Sequence, residues 1–232
     1  MSKVLVGLST MEHIRKADFL PHFLGLEKPD NSFVITVHGQ SPAKARNIII
    51  ENALEINATH VLFIDDDMAY APDSLKRLLE HDKDIVSALY LMRSFPHFPV
   101  AFDEAYDNGK CKFLFLTHNP EVQSLLPIVN CGLGFVLIKT EVFKAMEKPW
   151  ITLGEIEKDG WCDDVAFFNR VRKAGFQLWL DTNVRCGHMT SMTLWPNYIS
   201  GKWHSEYKNE GGNVLFPQTV PDTEQVSVPK EG

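Results

Sequence analysis

Cysteine is scarce, and its spacing is uninformative in a useful way. The four cysteines at 111, 131, 162 and 186 include no Cys-x-x-Cys pair, which argues against a zinc ribbon and a disulfide framework and for free thiols in a reducing compartment. Positive charge is also in deficit. Lys plus Arg number 23 against 30 Asp plus Glu, a net −7 that supplies no field for non-specific nucleic-acid binding. No stretch approaches the roughly 20 apolar residues of a membrane span. The N-terminal Met-Ser-Lys-Val-Leu-Val-Gly has one positive charge and no apolar leader core, so the expected location is cytoplasmic. Internal repeats and low-complexity blocks are lacking too. What remains is a chain of 232 residues, 44% hydrophobic and 23% charged, with enough apolar mass for a core that stands without staples.

Strand and helix patterns alternate through the first half. Residues 3–8 (Lys-Val-Leu-Val-Gly-Leu) and 33–37 (Phe-Val-Ile-Thr-Val) are short β-branched runs ending in turn residues. Residues 42–57 read as a helix, with Pro42 suited to a first turn and Ala45, Ile48, Ile49, Ala53 and Ile56 at helical spacing. Val61-Leu62-Phe63-Ile64 is an apolar strand suited to burial on both faces. Pro72-Asp73-Ser74-Leu75 opens a helix to about His81, and Ile85–Leu91 is a further strand. This alternation predicts an α/β fold with a mostly parallel central sheet flanked by helices.

The second half is less regular. Residues 97–118 suggest a strand pair around the turn Asp107-Asn108-Gly109. Phe135–Ile138 is a strand after Gly132-Leu133-Gly134, Thr140–Met146 a short helix, and Asp163 to Ala174 a helix closed by Gly175. Residues 177–180 and 184–186 read as short strands. From about Tyr207 the chain turns polar. Residues 1–206 are therefore expected to form one domain and 207–232 a C-terminal tail, mobile over 217–232.

Ligands of open α/β sheets bind beyond the carboxyl ends of the strands, and Asp65-Asp66-Asp67 stand there after Val61–Ile64. In an extended chain Asp65 and Asp67 share a face and Asp66 points away. Like charges so close call for a cation or donor groups between them. Hard oxygen ligands suit Mg²⁺ or Mn²⁺, which typically bridge carboxylates to substrate phosphates. The apolar run followed by Asp-x-Asp resembles the motif of GT-A fold glycosyltransferases, which use nucleotide-sugar donors. The resemblance implies a single GT-A-like (Rossmann-like) domain, with Asp65 on the donor ribose and Asp67 on a divalent metal.

A second constellation strengthens it. Gly160-Trp161-Cys162-Asp163-Asp164-Val165, then Ala174-Gly175-Phe176, then Cys186-Gly187-His188 resemble the acidic pair, helix, glycine and distal histidine of inverting, family-two-like GT-A enzymes. The resemblance implies that Asp164 is the base on the acceptor hydroxyl and that His188 completes the metal shell. Asp163 replaces the commoner Glu of that pair, which leaves open which of the two acids is catalytic. From the residues themselves, Asp163 suits a helix N-cap. Asp164 falls with Phe167, Phe168 and Val171 on the apolar helix face.

Ser9 and Thr10 end the first strand, where this fold holds the base and ribose. The donor side thus takes in Ser9, Thr10, Arg46, Asp65, Asp66 and Arg93, the two arginines facing phosphate or base. Gly132 and Gly134 resemble the family's acceptor-side loop, and Trp161 is placed to stack on a sugar face. The expected activity is metal-dependent transfer of a sugar from a nucleotide sugar, UDP being the commonest carrier, to an unidentified hydroxyl acceptor. Two other readings stay open. One is a GT-A-like nucleotidyltransferase, for which Gly7-Leu8-Ser9-Thr10 is a poor phosphate loop. The other is a non-catalytic nucleotide- or sugar-binding module.

Overall fold

Val61 and Phe63 pack into one core and Leu62 and Ile64 into another, each at most 1% exposed, so this strand is buried on both faces. The structure is a computed structural model and describes residues 2–10, 18–93, 97–105, 111–152, 163–190, 193–209 and 212–217. In chain order its first half comprises β1 (Val4–Thr10), α1 (Phe19–Gly25), β2 (Phe33–His38), α2 (Pro42–Glu55), β3 (His60–Asp65), β4 (Met68–Ala69), α3 (Ser74–Glu80), β5 (Ile85–Leu89), β6 (Ala101–Ala105) and β7 (Cys111–Phe113). The second half has β8 (Leu125–Ile128), β9 (Asn130–Cys131), β10 (Phe135–Lys139), α4 (Thr140–Lys144) and α5 (Asp163–Lys173). It ends with β11 (Leu178–Arg185), β12 (Gly187–Met189), β13 (Thr193–Ile199), β14 (Lys202–Asn209) and β15 (Gly212–Pro217).

The central sheet has seven strands in the order β2-β1-β3-β10-β5-β11-β8. Its β1–β2, β1–β3 and β5–β11 pairings are parallel, while β3–β10, β10–β5 and β11–β8 are antiparallel. The sheet is thus partly parallel rather than mostly so. The reason lies at Gly134, whose carbonyl accepts the Asp65 N–H at 3.0 Å. The chain enters β10 at the edge where β3 ends, and so must run back against it.

Helices cover both faces, as an α/β sheet requires. Ile49, Ile50 and Ala53 of α2, Phe143 of α4 and Phe167, Phe168 and Val171 of α5 fill one side. Phe19 of α1 and Leu75 and Leu78 of α3 fill the other. A Cβ at Gly7 would lie 2.3 Å from Ile49 Cγ2, so the bare glycine lets α2 settle on β1. This contact fixes the height of α2 above the sheet, which matters for Arg46.

A second sheet, β15-β14-β13-β12-β4, branches from the end of β3, and a small β7-β6-β9 sheet packs against β8 and α5. The expected strand pair within 97–118 is β6 with β7; its turn, 107–109, lies outside the described residues. The segments 177–180 and 184–186 are one strand, β11, with an irregularity between Asp181 and Arg185. Secondary structure also continues past residue 206, through β14 to Asn209 and into β15, while 218–232 lie outside the described residues. Gly175, at φ +92°, closes α5 in the left-handed conformation of a helix C-terminus. Cys111, Cys131 and Cys186 are free and buried, and burial pushes all three thiols up, Cys111 to about 11. Among the described residues no helix is long and apolar enough to cross a membrane.

Candidate functional site

Strands β1 and β3 end side by side. Ser9 is in register with Asp65, and Thr10 with His38 on the other flank. Ser9 thus stands next to the first aspartate, and Thr10 is 4% exposed. Beyond Asp65 the alternation of a strand stops, because residues 66 and 67 form a turn that hands the chain to β4 in the second sheet. Asp65 and Asp67 therefore do not share a strand face as expected. The Asp65 side chain is 26% exposed and faces α2, whereas Asp67 is 1% exposed and faces β12. Asp66 is 0% exposed.

The first cluster forms around Arg46. This residue lies on the buried face of α2, three and four residues before Ile49 and Ile50, and is itself 6% exposed. Its Nη2 donates to Asp65 Oδ1 at 3.0 Å and Oδ2 at 3.4 Å, and its Nη1 to Asp164 Oδ1 at 3.3 Å. The Leu133 N–H donates to Asp164 Oδ2 at 3.3 Å. Both oxygens of Asp164 therefore accept hydrogen bonds. Asp164 is 24% exposed at the start of α5, where Val165 to Phe168 are all buried. Asp163 opens the helix, and its side chain lies outside what is described, as does Trp161.

The second cluster forms because β12 pairs with β4. His188 sits opposite Met68, and the Met189 N–H donates to the Asp67 carbonyl at 2.7 Å. That register brings His188 Nε2 to 3.7 Å from Asp67 Oδ1. His188 Nδ1 lies 2.8 Å from the Leu91 carbonyl, an acceptor only, so Nδ1 carries the proton. Nε2 is then the ring nitrogen that faces the carboxylate. A backbone carbonyl on one ring nitrogen, with the other facing a carboxylate, is an arrangement that metal-ligating histidines share. Arg93, 35% exposed, donates to Asp67 Oδ2 at 3.0 Å and neutralises the carboxylate from its other side.

Among the described residues no group of three or more His, Cys, Asp or Glu side chains is arranged to hold a metal ion. Asp67 and His188 are two donors, an oxygen and a nitrogen. They fit an ion that draws its remaining ligands from a diphosphate and water, as Mg²⁺ and Mn²⁺ do.

Between the clusters stands a residue that sequence reasoning missed. Tyr90 follows β5 and is 4% exposed. Its hydroxyl accepts the Gly134 N–H at 3.1 Å, and its ring meets His188 edge-on at 5.5 Å between centroids. Burial first, then the Asp164 and Asp65 charges, push the phenol well above its ordinary range, so it stays protonated. A Cβ at Gly132 would fall 2.2 Å from the Tyr90 hydroxyl, and one at Gly134 would fall 3.0 Å from it. The space beside both glycines is thus taken by Tyr90. Nothing in Leu-Tyr-Leu-Met separates this tyrosine from a core one.

The chain matches no protein-family model and no curated protein. Among solved structures it is similar to A197 from STIV, with TM-score 0.58 and 15% identity over 96% of this chain and 98% of that one. A likeness at that identity is one of fold: the α/β architecture extends over nearly the whole of both chains.

Proposed function

We propose that this chain is a metal-dependent glycosyltransferase of GT-A type, moving a sugar from a nucleotide-sugar donor to an acceptor hydroxyl with inversion. One observation carries the reading. Asp65 and Asp164, far apart in sequence, meet on a single buried guanidinium at the carboxyl edge of parallel strands, beside the Asp67–His188 pair. In this reading Asp65, flanked by Ser9, accepts hydrogen bonds from the donor ribose. Asp67 and His188 would hold Mn²⁺ or Mg²⁺, which when bound supplies positive charge against the departing diphosphate.

Asp164 then acts on the acceptor. Its two oxygens are oriented by the bonds from Arg46 and Leu133. One takes the acceptor's hydroxyl proton as that oxygen bonds to the anomeric carbon. Attack comes from the face opposite the breaking bond to the diphosphate, so the sugar configuration inverts and the electron pair leaves with the nucleoside diphosphate. UDP is the first nucleotide to try, as the commonest carrier among the enzymes the sequence resembles.

Product analysis tests the reading. A panel of nucleotide sugars with Mn²⁺ and simple hydroxyl acceptors is expected to give free nucleoside diphosphate and a product of inverted configuration. Release of pyrophosphate would identify a nucleotidyltransferase instead. Saturable nucleotide binding without turnover across the panel would identify a binding module.

A further inference from the structure

We infer that Arg46 is a positioning residue that ties the donor-side carboxylate to the base, and is not a ligand of the donor phosphate. Calling Asp164 a base rests on the proposed function; the bridge itself does not. An arginine on a helix is ordinarily solvated, but this one lies on the α2 face that carries Ile49, Ile50 and Ala53 into the core and is 6% exposed. Both terminal nitrogens point at carboxylates, Nη2 at Asp65 and Nη1 at Asp164. A planar guanidinium can serve two carboxylates at once, whereas an ammonium is a single point charge.

The mount is stiff as well. The next residue, Asn47, accepts the Trp150 and Ile151 N–H groups at 3.0 and 3.2 Å and donates to the Ile151 carbonyl at 2.6 Å. Opposite it, Gly7 admits Ile49 at a distance no side chain would allow. The helix is thus held from the sheet side and from the segment before α5. Arg46 transmits that position to Asp164, fixing the base relative to the residue that would hold the donor ribose. Without the guanidinium, Asp65 and Asp164 would share a partly buried space and lose the positive charge that both contact.

Four proteins test this: R46Q, D164N, the double variant R46Q/D164N, and R46K. Thermal melting without ligand reads the bridge. R46Q is expected to melt below wild type, and R46Q/D164N above R46Q, because removing one carboxylate relieves the repulsion that the lost arginine exposes. If R46Q does not fold, recovery of folded protein in the double variant is the same result. A double variant that melts at or below R46Q, or fails to fold with it, overturns the bridge.

UDP with Mn²⁺, or whichever nucleoside diphosphate shifts the wild type, reads the role. R46Q is expected to keep nucleotide affinity within about threefold while nucleoside diphosphate release falls about tenfold or more, R46K restoring part of it. A tenfold loss of affinity with release otherwise intact would make Arg46 a phosphate ligand. If the wild type neither binds nor releases a nucleotide, the transfer reading fails, and the melting comparison still decides the bridge.

Discussion

Gly132→Ala probes the bend that sets Asp164. The new Cβ would lie 2.2 Å from the Tyr90 hydroxyl and 2.8 Å from Val100 Cγ1, where ordinary contact begins near 3.4 Å. Tyr90 has little room to yield. Its hydroxyl holds the Gly134 N–H, its ring abuts His188, and it is 4% exposed. Overpacking of this kind typically costs about 1–3 kcal/mol, and a clash with a pinned group belongs at the upper end, about 3 kcal/mol. For a chain of this size that corresponds to a fall in Tm of roughly 6–12 °C. Tyr90→Phe alone leaves a buried N–H without its acceptor, at a cost of about 1–3 kcal/mol. In the double variant the closest clash is gone. The two effects should then fall short of their sum by about 1 kcal/mol or more, measured by urea unfolding and melting. A G132A protein that melts with the wild type, or strictly additive variants, would refute the packing of Tyr90 into the glycine bend.

Two further outcomes follow from the same geometry. Asp164→Asn should retain nucleotide binding and lose turnover by about 10²–10⁴-fold, as expected for removal of a general base, and full activity in that variant would reassign the base. His60, His97 and His118 are all held below the ordinary imidazole range, in each case chiefly by burial. The unfolded chain therefore takes up protons near pH 6.5 that the folded chain refuses, so stability should fall as the pH drops from about 7 toward 5. A Tm that stays flat over that interval would contradict it.

Much of this frame is legible in the residues, and the exceptions have physical causes. Strand β3 declares itself because a short apolar run rich in β-branched and aromatic residues, ended by three aspartates, suits a strand buried on both faces. Helix α2 shows its periodicity, and Arg46 on its apolar face was a visible signal, a charge where the pattern demands burial. Strand direction was not readable: Phe-Val-Leu-Ile reads alike whichever way β10 runs, and only the carbonyl of Gly134 on Asp65 fixes it. Strand β8 was hidden by Pro127, tolerated because β8 is an edge of its sheet. The β13–β14 hairpin did carry a cue. Ser200-Gly201, at φ +52° and +78°, is the two-residue left-handed turn such hairpins favour. Asp65, Asp67, Asp164 and His188 stood out by motif, but their division into two clusters arose from the turn at residues 66 and 67, which strand alternation cannot anticipate.

The central claim is a metal–diphosphate site at Asp67 and His188 next to a ribose site at Asp65. Thermal shift of the wild type and of Asp67→Ala, with UDP, GDP, CDP, ADP and TDP in the presence and absence of Mn²⁺, tests it most directly. Nucleotide at about 100 times its dissociation constant adds about 2.7 kcal/mol, a rise of several degrees. The account predicts such a rise for one base in the wild type, present only with Mn²⁺ and abolished in Asp67→Ala. Folded wild-type protein that shifts with no nucleotide, or a shift that survives in Asp67→Ala, would contradict it.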